Sequence, residues 1–285
     1  MPNLNPSPAI TIRPLSGVDD ALHLQSVHAQ IWGIVPEDIV PIHVIVTLAA
    51  NGGMVLGAYD PAGPAESGGM VGFVLGWLGT TRTGAVKHVS HIAGVLPAWR
   101  GRDIGLSLKL AQRNFVLAQR LTTHVTWTYD PLQRVNGAFN IHRLGAVCTT
   151  YKVNVYGTMT DELNKGMPSD RFQVDWHLES ERVIHAVTQG RVPSAWDLSR
   201  LHRLLRDPAH APALTPDGSP IAVPLPASVS ALQRDDRDLL LAWRLYLRTA
   251  MQQAFAAGYA VVDCADLGEG QGWHYILIYN PQSRI

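Results

Sequence analysis

The stretch Val95-Leu96-Pro97-Ala98-Trp99-Arg100-Gly101-Arg102-Asp103-Ile104-Gly105 joins an apolar, strand-like run to a long amphipathic helix. The N–H groups at the start of a helix lack intrahelical acceptors and lie at the positive end of the helix dipole. A diphosphate can satisfy these groups without a dedicated side chain, and Gly101 and Gly105 let the main chain come close to such a ligand. The stretch therefore predicts an anion-binding turn; an ordinary strand-to-helix turn is the alternative.

The residues around this turn predict alternating strands and helices. After it, apolar residues recur at spacings of three and four from Ile104 to Ala118, which indicates an amphipathic helix. A β-branched and aromatic strand is predicted at 124–128, and a short helix from Asn136 to Leu144 is closed by Gly145. The other elements predicted in this half are strands at 10–14, 54–59, 70–78 and 147–156 and helices at 19–31 and 41–50.

This order of elements and the turn together resemble the GNAT family of CoA-dependent N-acyltransferases. The family's pyrophosphate loop reads Arg/Gln-x-x-Gly-x-Gly/Ala after a strand ending near Val-x-Pro. This chain supplies Val95-Leu96-Pro97, Arg100 and Gly105, but it has Asp103 where the family usually has its first glycine. The run from Asn136 to Gly145-Ala146 is similar to the family's second motif, Asn…Tyr-x-x-Leu-Gly-Phe. The whole chain resembles a bacterial subgroup of predicted GNAT acetyltransferases.

The resemblance implies an α/β (α+β) fold with a mixed, mostly antiparallel central sheet flanked by helices. It also implies acetyl-CoA or another acyl-CoA as co-substrate, and no metal. The residues expected to bind the coenzyme are Val95, Arg100, Gly101, Arg102, Asp103, Ile104, Gly105, Leu106 and Asn136. The carboxylate of Asp103 would repel a diphosphate unless it points away, either to cap the helix or to pair with Arg102.

Transfer of an acyl group to an amine needs a base for the ammonium, stabilisation of the oxyanion and an acid for the leaving thiolate. The family often takes its base from the position that His91 occupies, and histidine titrates near neutrality; packing within the sheet is the alternative. In a regular strand His88 and His91 face opposite sides, so the two are not expected to share a metal ion. The family's tyrosine aligns with Ile141, which leaves Tyr151 and Tyr156 as candidate acids or as packing residues.

Three further residues are candidates for contacts with the acceptor. Asp130 could hold a substrate ammonium, and Arg171 could hold a carboxylate bidentately, although Asp170-Arg171 could equally be a local ion pair. Asn136 and Asn140 lie four residues apart, which would place both on one helical face toward the CoA arm or a substrate amide; a solvated polar face is the alternative.

Composition limits the classes of partner. The chain has 285 residues, 46% of them hydrophobic, and 23 basic side chains balance 23 acidic ones. Without a basic field, nucleic acid and anionic membranes are not expected partners, and an anion site has to be local. Cys148 and Cys264 offer no disulfide framework or metal-ligand spacing, and the first residues lack a signal-peptide pattern, so a cytoplasmic location is expected.

The second half changes in composition. A strand is predicted at 172–178, and prolines are dense between 190 and 226, which excludes a long helix there. An apolar stripe from Asp235 to Gly258 and strands at 259–264 and 273–279 predict a C-terminal strand–helix–strand–strand extension, for structural support or for a homodimer interface; a second active site is the alternative. The predicted domains are a core at 1–157, a connecting segment at 158–226 and a C-terminal module at 227–285.

The resemblance and the candidate residues together predict an acyl-CoA-dependent N-acyltransferase. Its expected acceptor is a primary amine of a small molecule such as an amino acid, and the donor is acetyl-CoA or a larger acyl-CoA. The alternative is a GNAT-like module that binds CoA or another anion without turnover, which Asp103 and the missing tyrosine both favour.

Overall fold

A computed structural model describes residues 10–33, 39–157, 166–192, 196–268 and 270–280. The contacts of the chain form two compact units, Met1–Trp127 and Thr128–Ile285, which we describe separately. This division differs from the predicted segments 1–157, 158–226 and 227–285, and whether those segments are domains stays a prediction. Two predictions fall partly outside the described residues. One concerns a signal pattern in the first residues, and the other concerns the connecting segment, of which 158–165 and 193–195 are not described.

The first unit contains a sheet built from four antiparallel strands and one parallel strand. Strand β1 is Thr11–Pro14, β2 is Met54–Tyr59, β3 is Met70–Thr80, β4 is Val86–Val95 and β5, which continues into the second unit, is His124–Tyr129. Neighbours pair in the order β1-β2-β3-β4-β5, and only the β4–β5 pair is parallel. The apolar run at the start of β3 is buried on both faces, because helices cover the two sides of the sheet.

Three helices cover this sheet: α1 is Gly17–Trp32, α2 is Ile42–Ala50 and α3 is Ile104–Gln119. Ile31 and Trp32 of α1 lie against Gly94, whereas Leu108 of α3 lies against Gly72. Since Gly72 and Gly94 pair with Val95 and Phe73 respectively, they lie on opposite faces of the sheet, and α1 and α3 therefore pack on opposite sides.

The second unit contains a short helical segment, six strands and three further helices. Helix α4 is Arg134–Gly137, followed by a π-helix at Ala138–Arg143; α5 is Glu181–Gln189, α6 is Val229–Asp235 and α7 is Arg237–Ala256. The strands are β6 (Val147–Lys152), β7 (Arg171–His177), β8 (His202–Arg203), β9 (Ile221–Pro224), β10 (Tyr259–Asp266) and β11 (Trp273–Tyr279). Their order is β7-β6-β10-β11-β9-β8.

Aromatic packing joins early and late parts of the second unit. The fully buried ring of Phe172 on β7 lies 5.1–6.0 Å, centroid to centroid, from the rings of Tyr129, Tyr151, Phe255 and Tyr275. Rings at these separations and tilts pack favourably as well as burying apolar area. Of the predicted C-terminal extension, the helix and the two strands after it are present as α7, β10 and β11, and they share one core with β6 and β7; the strand before them, β9, was not predicted.

Most predicted elements agree with the structure, and three differ. The short helix begins at Arg134, two residues earlier than predicted, and becomes a π-helix at Ala138. Strand β6 ends at Lys152, because Asn154 adopts a φ of 47° and starts a turn before Tyr156. The C-terminal helix is divided at Asp236, whose side chain accepts the N–H of Leu239 and so caps α7.

Candidate functional site

The predicted anion-binding turn lies between β4 and α3 in the first unit and is held by contacts with β3 and with Asp60, the residue after β2. The N–H of Leu96 donates to the carbonyl of Val71 (2.9 Å), and the indole N–H of Trp99 donates to Asp60 (3.0 Å). Pro97–Trp99 form one turn of 3₁₀-helix, as expected where proline fixes the backbone at a helix start. These contacts fix the direction in which α3 leaves the sheet.

The start of α3 presents backbone N–H groups without helical acceptors. The first hydrogen bond of the helix runs from the N–H of Ser107 to the carbonyl of Asp103 (2.9 Å). Within the described residues, the N–H groups of Ile104, Gly105 and Leu106 therefore have no backbone acceptor. Together with the positive end of the helix dipole, they form a site that suits a phosphate or diphosphate.

Two residues in the left-handed region give the turn its shape. Gly101 has a φ of 77° and Asp103 a φ of 59°, and space is open at the position where Gly101 would carry a Cβ. Asp103 thus caps α3 through its carbonyl, while its side chain makes no capping hydrogen bond. Of the two ways in which the carboxylate could point away from a diphosphate, capping of the helix is therefore not the one used, and the conformation explains why a glycine suits this position.

The two arginines of the turn are exposed and fold back on it. Nε of Arg100 donates to the carbonyl of Val95 (3.1 Å), and the guanidinium of Arg102 donates to the carbonyl of Ala98 (3.2 Å). Their charges add a local positive potential at the turn to a chain whose formal net charge is zero.

Strands β4 and β5 separate next to this turn. Their parallel ladder has two registered pairs, His88↔Val125 and Val89↔Thr126, and no described pair beyond them. The segment of β4 from Ser90 to Val95 is therefore an edge on the β5 side, with backbone groups available to another extended partner. An elongated ligand could therefore run from the turn along the unpaired edge of β4.

His91 lies at a β-bulge within this separated part of β4. Opposite it, Leu75 pairs with Ile92 and Gly76 with Ser90, so His91 is the extra residue. Its ring is 5.0 Å from the Trp77 ring and is accessible to solvent. The protein atoms around the ring still desolvate it enough to lower its pKa below the ordinary value, which keeps the imidazole neutral near pH 7.

His88 faces the other side of the sheet, as the spacing predicts. It pairs with Leu78, whereas the ring of His91 lies on Trp77, the adjacent residue of β3. Burial and then the charge of Lys109 lower the pKa of His88 to about 4. Across the described part of the chain, no cluster of three or more His, Cys, Asp or Glu residues could hold a metal ion.

The two candidate tyrosines lie in the second unit. The hydroxyl of Tyr151 donates to the buried carboxylate of Asp170 (2.8 Å), and burial followed by the Asp170 charge raises the pKa of Tyr151. This proton is therefore held in a structural hydrogen bond. Tyr156 is exposed, and its hydroxyl lies 3.3 Å from the hydroxyl of Thr128, so Tyr156 is the better placed of the two to exchange a proton with a ligand.

The carboxylate predicted to hold a substrate ammonium is already paired. Asp130 accepts two hydrogen bonds from the guanidinium of Arg244, at 2.6 and 2.8 Å, and the Arg244 side chain is only 3% exposed. Asp130 also accepts the N–H of Leu132 (2.9 Å). An arginine 114 positions later thus neutralises Asp130, and whether Asp130 holds a substrate ammonium stays a prediction.

Arg171 and Asp170 do not form the local ion pair that their spacing allowed. Arg171 is buried, donates to the backbone carbonyl of Asp170 (2.8 Å) and lies over the ring of Tyr156, with its guanidinium carbon 5.3 Å from the centroid. The Asp170 carboxylate instead pairs with Arg248 at 2.8 and 2.9 Å. Whether Arg171 binds a substrate carboxylate stays a prediction.

Asn136 and Asn140 differ in environment. Asn136 is exposed near the end of α4, whereas Asn140 is buried within the π-helix. The two side chains therefore do not share one face, toward solvent or toward a ligand, because the helix changes from α to π between them. Of the two, Asn136 is accessible to a coenzyme.

Sequence reasoning missed the buried polar residues behind the separation of β4 and β5. Lys109 and Gln112 on α3 contact Ser90 on β4, and the amine of Lys109 lies over the ring of Trp127. The spacing of Lys109 and Gln112, three residues apart on an otherwise apolar helix face, was the available signal. Their contacts with Ser90 depend on which face of α3 packs against β4, and the sequence alone does not indicate that face.

No protein-family model and no curated protein sequence matches this chain. Among solved structures, Arabidopsis thaliana NAA60 in complex with acetyl-CoA is similar, with a TM-score of 0.50 and 15% identity over 60% of this chain and 99% of that chain. NAA60 with a bisubstrate analogue has a TM-score of 0.49 at 16% identity, covering 59% of this chain and 97% of that chain. The ribosomal-protein-S18-alanine N-acetyltransferase of Escherichia coli has a TM-score of 0.44 at 11% identity, covering 60% of this chain and 95% of that chain.

At such low identity the likeness concerns the fold alone. The fold is that of the GNAT acetyltransferases, with a mostly antiparallel sheet and flanking helices, and the predicted fold class is confirmed. Nearly all of the NAA60 chain is covered by about three fifths of this chain.

Proposed function

We propose that this chain is an acyl-CoA-dependent N-acyltransferase, with acetyl-CoA as the simplest donor and a primary amine of a small molecule, such as an amino acid, as acceptor. The observation that carries the proposal is the set of free N–H groups at Ile104, Gly105 and Leu106, next to the separated part of β4. That arrangement suits a ligand with a diphosphate at one end and an extended, amide-containing arm at the other, as in CoA.

In the proposed reaction, the nitrogen of the acceptor amine attacks the thioester carbonyl carbon. The new C–N bond forms, the C–S bond breaks, and the products are an amide and the free thiol of CoA. His91 is the candidate base, because it lies on the separated part of β4, is accessible and is neutral near pH 7. It would accept one proton of the acceptor ammonium directly or through one water. The attacking nitrogen loses a second proton as the amide forms, and this proton balances the one that the leaving thiolate takes up.

A cytoplasmic location is part of the same proposal. Cys148 and Cys264 are both free thiols, and both are buried. Burial raises the pKa of each thiol, so neither is a reactive thiolate near neutral pH. Their chemistry is compatible with a reducing compartment.

A second candidate function is CoA binding without turnover. Two observations favour it: the carboxylate of Asp103 stands at the start of α3, and the hydroxyl proton of Tyr151 is held by Asp170. The two functions differ in a measurable way, since only an acyltransferase releases thiol from acyl-CoA when a suitable amine is present.

The test measures thiol release from acetyl-CoA with a panel of amines and amino acids, and CoA affinity by calorimetry. Gly105→Val adds a side chain beside the free N–H groups, and we expect at least a tenfold loss of CoA affinity from this crowding. Ala118→Val, at an exposed position near the other end of α3, is the control and should leave CoA affinity unchanged. Unchanged affinity in a folded Gly105→Val protein would contradict the coenzyme site; binding without thiol release would favour the second function.

A further inference from the structure

A buried triangle of polar groups lies between α3 and β4 in the first unit. Nζ of Lys109 donates to Oε1 of Gln112 (2.6 Å) and to Oγ of Ser90 (3.2 Å), and Ser90 Oγ lies 3.2 Å from the same Gln112 oxygen. All three side chains are buried. A lysine this deep in a core is unusual, because removing its charge from water is costly.

The triangle lies where β4 and β5 stop pairing. If the ladder continued past Val89↔Thr126, the next pair would be Ser90 and Trp127, whose side chains would share the α3 face. Lys109 contacts both members of that pair: its Nζ bonds to Ser90 and lies 3.6 Å from the centroid of the Trp127 ring. The amine of Lys109 therefore contacts both of the first two residues that the ladder leaves unpaired.

We propose that Lys109 is a positioning residue that holds β4 and β5 apart after their second pair and so sets the width of the gap for the acyl-CoA arm. The inference rests on the proposed function, because it assigns the β4 edge to that arm. The contacts of Lys109 include two hydrogen bonds and an aromatic face, so its amine is held in one place rather than left to move.

An apolar side chain would fill this space at a lower cost in stability. Desolvation lowers the pKa of Lys109 well below its ordinary value, which is the physical measure of that cost. Gln112 is fully buried, and its side-chain carbonyl oxygen accepts a hydrogen bond from the amine, so a second residue of α3 holds the lysine in place. Core packing alone does not explain a buried lysine with its own buried acceptor. A required spacing between β4 and β5 explains it.

The experiment compares two ligands and two matched variants. CoA contacts both the turn and the gap, whereas phospho-ADP, the part of CoA that lacks the pantetheine arm, contacts only the turn. Lys109→Met keeps the length of the side chain but removes its hydrogen bonds, and Lys87→Met makes the same chemical change at the start of β4. We expect Lys109→Met to weaken CoA about tenfold and phospho-ADP less than about twofold, with no change of either affinity in Lys87→Met.

The outcomes separate the two proposals. If wild-type protein binds neither ligand, the proposed function fails. If it binds both and Lys109→Met weakens them equally or leaves both unchanged, the positioning role of Lys109 is overturned. Should Lys109→Met not fold, Ser90→Ala removes one corner of the triangle with little change of volume; it should weaken CoA about threefold relative to phospho-ADP, and an unchanged ratio would overturn the inference.

Discussion

Asp103 combines two unfavourable properties at one position. Its backbone is left-handed, with a φ of 59°, and this conformation costs a residue with a side chain roughly 1–2 kcal/mol relative to glycine. Its carboxylate also stands at the start of α3, next to the N–H groups proposed to bind a diphosphate. The first property acts on stability and the second on ligand affinity, so substitutions can separate them.

Asp103→Gly should tighten CoA binding and raise the free energy of unfolding, because it removes a negative charge and relaxes the backbone. Asp103→Asn removes the charge while keeping a residue that tolerates the left-handed region. We expect Asn to reproduce the gain in affinity but little of the gain in stability, measured by calorimetry and urea unfolding. Weaker CoA binding in both variants would show that the carboxylate contacts the ligand favourably.

His91 is the residue on which the proposed chemistry depends. His91→Ala should lower turnover by roughly two to four orders of magnitude, as expected for loss of a general base, with CoA affinity nearly intact. Because its pKa lies below the ordinary histidine value, the wild-type rate should rise through an apparent pKa below 6.5. This limb should be absent in the variant, while the limb from the acceptor amine at higher pH remains.

The control for this substitution is His43→Ala on α2, an exposed histidine for which we expect ordinary turnover. A His91→Ala protein with ordinary turnover and an unchanged pH profile would show that His91 only packs on Trp77. Positioning of the acceptor near the thioester would then account for most of the rate.

At the scale of elements, the sequence predicts regular structure well and irregular structure poorly. The amphipathic spacing predicts α3, and apolar runs predict β2, β3 and β11, because their patterns repeat along the chain. The bulge at His91 and the π-helix from Ala138 each depend on one extra residue, which leaves no periodic signal. The turn before α3 was predictable from its glycines, but the left-handed conformation of Asp103 was not.

His88 makes the stability of β4 depend on pH. The folded protein holds this histidine with a pKa of about 4, whereas the unfolded chain binds the proton near 6.5, so protonation favours the unfolded state. Stability is therefore lost as the pH falls from about 6.5 to about 4, by about 3 kcal/mol for this group. Burial is the main cause, and Lys109 on α3 is the charged neighbour.

His88→Leu should remove that part of the pH dependence. Neither ring nitrogen of His88 has a hydrogen-bond partner within the described residues, so an apolar side chain of similar size forfeits no such bond. Urea unfolding of both proteins between pH 8 and pH 4 gives the difference, in which the other histidines, including His28, cancel. Parallel curves for the two proteins would mean that His88 is protonated or solvated in the folded state.

At the scale of the whole molecule, contacts distant in sequence decided what local reasoning could not. Asp130 follows a strand in a position that looks available to a ligand, yet Arg244 on α7 neutralises it. The hydroxyl of Tyr151 likewise donates to Asp170, which Arg248 holds, and the role of Tyr151 as an acid stays a prediction. Both arginines lie on the helix that was predicted to belong to a separate C-terminal module, so α7 supplies the charges that this unit needs for its own core.

The pair of Asp130 and Arg244 should therefore be among the most sensitive contacts of the second unit. Arg244→Met leaves a nearly buried carboxylate unpaired, and we expect a loss of about 3–5 kcal/mol in the free energy of unfolding. Asp130→Asn keeps an acceptor for the N–H of Leu132 and removes the charge. In Asp130→Asn/Arg244→Met no charge remains buried, so the double variant should be more stable than Arg244→Met alone.

Urea unfolding of the four proteins completes the double-mutant cycle, and hydrogen exchange locates the effect. If α7 is part of one cooperative unit with β6 and β7, Arg244→Met should raise the exchange rates of β6, β7 and β10 together. Faster exchange confined to α7 and β10 would show that the C-terminal segment opens independently. The segment after the predicted boundary near residue 227 would then unfold on its own, although the contacts place it in one unit with the residues from Thr128 onward.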